Sequence, residues 1–542
     1  MKYFLLIPLL LILNACYKGK SVDLIIHNAR IHVLNDKLEM AEAIAIKDGE
    51  IVEVGPERQI LNKYTAPTII NAQKKDVVPG FHDAHGHIMS LAKQKLNADL
   101  RKTRSYFEMI STLEKHQSKT KQTILIGRGW DQSIWGEEKM PNNNLLNESF
   151  PNTPVALTRI DGHAMLVNQA MLDYIGINDS TKIKGGDILK SEGKLTGVLL
   201  DHALDLVNDK LPKPKKEDLK KAILEIQKDL LASGITHVHE AGLTASERDL
   251  FIELADKNAL DINIYAMLFP TQENTDFAKL NGHYRNNRLS IRSFKVIADG
   301  ALGSHGACML EPYSDDVDTY GMLLKTPEEI QNIFSMAKNI NYQVNTHCIG
   351  DSANRTVLKI IDTLMKKTSD HRWRIEHAQI IHPNDFKLFS SSGALPSVQP
   401  THATTDQRWA EQHIGKERLE NGSYAYNSLQ KESGMILFGT DFPIENYDPF
   451  GTIHAAVQRK NTQNEPLKGF LKNEAVTLDI TLKAMTLWAA YGCFEEGQVG
   501  SLEKGKQANI VIFDQALKSS SQFLPNYSWL TIVDGDIVFD MR

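Results

Sequence analysis

PGFHDAHGH, residues 79–87, places three histidines and an aspartate within six positions, directly after the apolar run DVV at 76–78. His85 and His87 stand two apart. Side chains two apart on an extended segment point to the same side, so this pair can hold one ion together. Taken alone, the pair also suits a polar loop, and the choice depends on what the rest of the chain brings to the same place.

The chain beyond this stretch alternates short apolar runs with helical patterns, which predicts βα units and a parallel sheet. The candidate strands are DVVPGF, GITHVHE, INIYAMLF, SFKVIAD, YQVNTH, WRIEH, LPSVQP and MILFGTD. Amphipathic stretches such as TPEEIQNIFSMAKNI and SANRTVLKIIDTLMKK lie between them. Eight parallel strands close into a (β/α)8 TIM-like barrel, an α/β fold whose functional residues stand at the C-terminal strand ends. Here the first strand ends in His85 and His87, the fourth carries Lys295, the fifth ends in His347, the sixth in His377 and the eighth in Asp441. Four imidazoles, a lysine and a carboxylate are thus expected at one mouth. His347 and His377 come from neighbouring strands and can hold a second ion. Zinc suits such donors, and iron or manganese also fits.

One connection is oversized. About 150 residues separate PGF from GITHVHE, far above the usual connection length. This gap contains its own strand patterns, TILIGRGWD and PVALTRIDGH. It predicts a subdomain inserted after the first barrel strand, at about residues 97–215, hanging over the barrel mouth. The helix KKEDLKKAILEIQKDLLASG then leads into the second strand, with Gly234 as its C-terminal cap.

Both ends of the chain read differently. SVDLIIHNARIHVLN and AEAIAIKDGEIVEVG alternate apolar and polar residues, and KDGE reads as a hairpin turn. QANIVIFDQ and WLTIVDGDIVFD repeat the style near the C-terminus. Residues 21–78 and 497–542 are therefore expected to form one β-sandwich beside a barrel of residues 79–496. His27 and His32 lie in these strands and are expected to serve structure.

The opening MKYFLLIPLLLILNAC has one lysine, about ten apolar residues and small residues before Cys16. That run is too short for a permanent membrane span and suits a signal peptide of residues 1–15. LNAC resembles a bacterial lipobox, which implies cleavage before Cys16 and a lipid on its sulfur. A lipid anchor to the membrane, at the periplasmic face or the outer membrane of a bacterial cell envelope, follows as the expectation. Cys308, Cys348 and Cys493 are widely spaced, lack a C-x-x-C pairing, and read as small buried residues. A formal net charge of −6 without a long basic run argues against nucleic acid as a partner. A homo-oligomer is left open.

PGFHDAHGH, FKVIADGALGS, VNTHCIGD, RIEHAQ and FGTDFPIE together resemble the motifs of the amidohydrolase superfamily, in particular its YtcJ-like and N-substituted formamide deformylase-like branch. GRGWDQSIW and DGHAMLVNQAML resemble segments of that branch, and GSLEKGKQANIVIFD resembles its closing β segment. The resemblance covers nearly everything after the signal. It implies His85 and His87 on one metal ion, His347 and His377 on another, and a carbamylated Lys295 bridging the two; two zinc ions are expected, and iron or manganese would also serve. A free lysine, with a pKa of about 10.4, is cationic and hostile to a divalent ion, whereas its carbamate is an anionic oxygen ligand. The alternative for Lys295 is a salt bridge with Asp299.

The resemblance further implies that Asp441 binds metal and acts as general base. The expected reaction is cleavage of a non-peptide C–N bond, amide or formamide-like, in a small-molecule substrate by metal-activated hydroxide. Hydrolysis of an ester, lactone or cyclic amide uses the same machinery, and an inactive binding lipoprotein is the competing class. Asp441 has a structural alternative too, as a helix cap before PIENYDPF. Trp130, Asp131 and His163 lie in the insert and are expected to line the substrate pocket, against a reading in which Trp130 packs a core and Asp131 caps a helix. THVHE supplies a second H-x-H, His237 and His239, beside Glu240, for which packing or support is expected. His82 has parity opposite to His85 in an extended strand and is expected outside the metal ligands.

Overall fold

The computed structural model describes residues 19–136, 139–160, 162, 164–183, 186–365, 370–517 and 522–542. Cys16 and His163 lie outside the described residues. Among the described residues no helix is long and apolar enough to cross a membrane.

The centre is a parallel barrel of eight strands: β1 (Phe81–Gly86), β2 (Ile235–Leu243), β3 (Asn263–Leu268), β4 (Leu289–Ile297), β5 (Gln343–Cys348), β6 (Arg374–His377), β7 (Leu395–Val398) and β8 (Leu437–Phe438). They pair in sequence order from β1 to β8. No regular ladder joins β8 back to β1. Two backbone bonds just past the strand ends close that seam, Asp441 N to His85 O at 2.7 Å and His87 N to Phe442 O at 2.9 Å. The barrel is therefore nearly closed, and its seam is drawn together at two residues of the opening motif.

Alternation sorts the side chains of each strand. On β4, Phe294 and Val296 face the apolar layer between barrel and helices, and Lys295 between them faces inward. The covering helices bury matching stripes. In Pro327–Asn339 these are Ile330, Phe334 and Ala337, and a Thr326–Glu329 capping box fixes its start.

The expected first strand, DVVPGF, is in fact two. Asp76–Pro79 belongs to a terminal sheet, and the barrel strand starts at Phe81. Gly80 marks the change because a Cβ there would meet Thr236 Oγ1 at 2.2 Å.

Two further sheets come from both termini. One has the order Glu50–Gly55, Ala43–Lys47, Leu24–His27 and Thr68–Asn71. The other runs Asp536–Asp540, Ser528–Val533, Ile510–Phe513, Asp76–Pro79, Arg30–His32 and Met40–Ala41. They pack as a sandwich around Ile26, Ile31, Ile44, Val77, Ile512 and Leu530. Asp48–Gly49 and Asp534–Gly535 turn their hairpins with φ of 51° and 78°, and 50° and 81°. Positive φ at both turn positions matches the twist of the strands, and an Asp-Gly pair adopts it readily. His27 and His32 hold the carboxylates of Glu57 and Asp76 at 2.9 and 3.0 Å.

Between β1 and β2 lies a six-stranded sheet in the order Ala98–Asp99, Leu125–Trp130, Val155–Arg159, Ala164–Val167, Lys194–Asp201 and Gly186–Ser191. It has its own core, and the helix Lys216–Ala232 returns the chain to β2 with Gly234 at φ 85° just past its end. Cys348 and Cys493 are buried and Cys308 is half-buried, all as free thiols.

Candidate metal centre

The C-terminal ends of the barrel strands bring His85, His87, Lys295, His347, His377 and Asp441 together. Asp441 Oδ1 lies 3.0 Å from His87 Nε2 and 3.6 Å from His85 Nε2. Lys295 Nζ lies 3.1 Å from the same His85 nitrogen. The His377 ring sits between its neighbours, 4.7 Å from that of His85 and 4.5 Å from that of His347, centre to centre. His85, His377 and Asp441 present ligand atoms within 4.8 Å of one another, and all three residues are buried.

The backbone is bent to achieve this. His377 and Asp441 have φ of 73° and 60°. A non-glycine residue held in this left-handed region costs on the order of 1–3 kcal/mol, and such strain concentrates at functional positions. Asp441 caps no helix; the helix Pro449–Gln458 is capped by Asp448 instead.

A carboxylate missed by the sequence reading fastens the seam. Asp83 accepts from the His85 amide at 3.1 Å and from the Thr440 amide and hydroxyl at 3.0 and 2.6 Å. Gly439 passes so close that a Cβ would meet the His85 amide nitrogen at 2.4 Å.

Other side chains orient the imidazoles. Glu376 Oε2 is 2.6 Å from His85 Nδ1, and Gln399 Oε1 is 2.8 Å from His377 Nδ1. His402, on the helix Pro400–Asp406 after β7, puts Nε2 3.7 Å from Asp441 Oδ2. Glu376, Gln399 and His402 were not singled out from the sequence. Glu376 could have been found by its place beside His377 in RIEH; strict strand alternation hides it, because it assigns neighbours to opposite faces.

Lys295 forms no ion pair with Asp299. Asp299 instead accepts from the amides of Cys308, Ile349 and Gly350 at 2.9, 3.0 and 2.9 Å. Burial pushes the Lys295 amine below its ordinary pKa. Burial also holds His85 and His377 well below the ordinary imidazole value and takes His347 to about 4. Asp441 is pushed up by burial, yet the hydrogen bond with His87 and the imidazoles of His85 and His377 outweigh this and leave it well below the usual carboxylate range. Imidazoles grouped around a carboxylate are the donor set that a divalent ion requires. His347 Nε2 is buried without a hydrogen bond and faces Asp299 Oδ1 at 3.6 Å, so its lone pair is free to serve as a metal ligand.

His82, His237 and His239 lie deeper in the barrel. His82 stacks on His237 at 3.9 Å and approaches His239 Nε2 at 3.5 Å. Register shifts in β1, between Phe81 and His82 and between Asp83 and Gly86, let both His82 and His85 face inward despite their opposite parity. Arg374 donates to His239 Nδ1 at 3.0 Å, and its guanidinium makes this lower cluster a poor place for a cation. Glu240 accepts from the amides of Ile88 and Met89, at the start of the helix that follows His87.

Trp130 and Asp131 have their partners within the insert. Trp130 is fully buried in the core of the inserted sheet, with its indole nitrogen donating to Leu157 O at 2.7 Å. The structure does not bring it to the barrel cluster, because its ring completes that core with Trp135. Asp131 accepts from Arg159 at 2.9 Å.

Residues 68–539 match the amidohydrolase family. Among curated relatives, Protein LONG AFTER FAR-RED 3 of Arabidopsis thaliana is 29% identical over 91% of this chain and 87% of its own. Putative amidohydrolase YtcJ of Bacillus subtilis (strain 168) is 27% identical over 95% and 99%, and N-substituted formamide deformylase of Arthrobacter pascens is 25% identical over 91% and 93%. The crystal structure of an uncharacterized metal-dependent hydrolase from Pyrococcus horikoshii OT3 superposes with a TM-score of 0.77 at 28% identity, covering 91% of this chain and 97% of that one. With a match that spans most of its length, the chain belongs to the amidohydrolase family.

Proposed function

We propose that this metal-dependent hydrolase cleaves a non-peptide C–N bond, amide or formamide-like, in a small molecule. The observation that carries the reading is the convergence of His85, His87, Lys295, His347, His377 and Asp441 at the barrel mouth. The similarity to the N-substituted formamide deformylase of Arthrobacter pascens supports the choice of bond. In this reading His85, His87 and Asp441 hold one ion, His347 and His377 hold another, and both are zinc.

When bound, such ions lower the pKa of water towards about 7 and polarise a carbonyl oxygen. The protein supplies the rest. Asp441 accepts a proton from the attacking water on a carboxylate oxygen and passes it to the leaving nitrogen as the C–N bond breaks. His402, facing the other oxygen of Asp441, steadies the carboxylate during that exchange. Lys295 is carbamylated in this account. Its buried amine, shifted towards the unprotonated form, attacks carbon dioxide; an N–C bond forms, one proton leaves, and an anionic carboxylate results.

The test is a screen of small formamides and amides with the metal-loaded protein, reading amine release. Turnover of esters or lactones with no amide or formamide cleaved would refute the C–N assignment. The lipid anchor is a separate proposal. Membrane and soluble fractions of cells expressing wild type and Cys16→Ser should differ, with only the wild type retained on membranes; equal partition would refute it.

A further inference from the structure

A second group of side chains that could hold a metal ion lies on the connections after β4 and β7. His305 and Asp315 belong to the long connection after β4, and His413 belongs to the helix Ala410–Gly422 after β7. His305 Nε2 is 2.9 Å from Asp315 Oδ1, and His413 Nδ1 is 2.5 Å from Asp315 Oδ2. All three offer ligand atoms within 4.8 Å of one another. The two imidazole rings lie 4.5 Å apart, tilted by 56° to one another. This is the arrangement of His85, His377 and Asp441 repeated with residues that the proposed reaction does not use.

We propose that His305, Asp315 and His413 form an additional divalent-metal site, of zinc type, on the rim of the barrel. Two imidazole nitrogens and one carboxylate are a common three-residue zinc set. Partial exposure of the three side chains, 29%, 17% and 13%, leaves one side open for water as a further ligand.

Independent features hold the donors in place. His305 has φ of 54°, a left-handed conformation that a non-glycine residue adopts at a cost. The Tyr313 ring meets His305 edge-on at 4.5 Å, and Trp409 packs against His413 at 5.0 Å. Arg418 reaches back from the helix to the carbonyls of Glu311 and Pro312 at 3.0 and 2.8 Å, and Ser314 N donates to His413 O at 2.7 Å. The loop is thus fastened to the helix without any ion. A zinc ion there would add a cross-link between the connection after β4 and the helix after β7.

The experiment is metal analysis of the full chain purified with excess zinc. Wild type should carry one zinc equivalent more than His413→Ala and more than Asp315→Ala, which removes the carboxylate outright. His85→Ala should keep this rim equivalent, so a failure of the barrel-mouth reading is distinguishable from a failure here. Equal zinc in wild type and both rim variants would overturn the proposal and leave Asp315 as an ion-pair clasp. Should the variants fail to fold, a zinc-edge anomalous map of the wild type decides: a peak among His305, Asp315 and His413 supports the site, and its absence overturns it.

Discussion

Glu376 Oε2 lies 2.6 Å from His85 Nδ1, and neither side chain is exposed to solvent. A carboxylate oxygen only accepts, so Nδ1 carries the proton and the Nε2 lone pair is directed at Lys295 and Asp441. Carboxylate partners of this kind fix ring orientation and raise ligand basicity, and losing one typically costs about 10–100-fold in metal affinity. Glu376→Gln should weaken metal binding by about that factor while the protein stays folded. Metal titration of chelator-stripped protein measures it; unchanged affinity would show that Glu376 serves packing alone.

Asp441→Asn should keep much of its metal, since the amide oxygen can still coordinate, and lose at least about 10²-fold in kcat. His402→Gln should retain metal fully and lower kcat less. Steady-state kinetics on metal-replete protein check both. A metal-replete Asp441→Asn enzyme with wild-type kcat would remove Asp441 from the proton transfer.

Gly439→Ala tests the seam. The new Cβ would lie 2.4 Å from the His85 amide nitrogen and 2.9 Å from Asp83 Oδ1, so the backbone that positions His85 must move. Overpacking of this kind costs about 1–3 kcal/mol. Denaturant unfolding should show that loss together with reduced metal content.

Asp76 offers a stability prediction away from the barrel mouth. Burial pushes its carboxyl up, but hydrogen bonds from His32, Arg30 and the Leu517 amide outweigh this and hold it below 3.8. A depressed acid stabilises the fold above its unfolded pKa, and that contribution disappears as pH falls through the folded value. Asp76→Asn should therefore cost about 1–3 kcal/mol at neutral pH, and the gap to wild type should narrow below about pH 4. Unfolding curves at neutral and acid pH measure the difference.

Much of the barrel was legible because strand ends carry polar residues that a core would not tolerate. Lys295 interrupts the apolar run of β4, while His85, His347 and His377 stand at or near the ends of their strands, and together they mark a single mouth. What supports them was hidden by departures from ideal geometry. The shifts in β1 turn His82 inward with His85, so parity misleads there. The left-handed turn at His377 lets it and Glu376 serve the same site from adjacent positions. His402 lies on a helix after β7, where no strand-end rule looks. Trp130 lies in GRGWDQSIW, which resembles a segment of the family branch, yet its indole completes the inserted core, a distinction that only tertiary packing reveals.

The central claim is a metal pair at the barrel mouth. Zinc-edge anomalous diffraction from crystals of the zinc-loaded wild type tests it most directly. The account predicts one peak against His85, His87 and Asp441, a second against His347 and His377, and carbamate density on Lys295 between them. A map without a peak at these residues, or with one ion beside an unmodified Lys295, would contradict it.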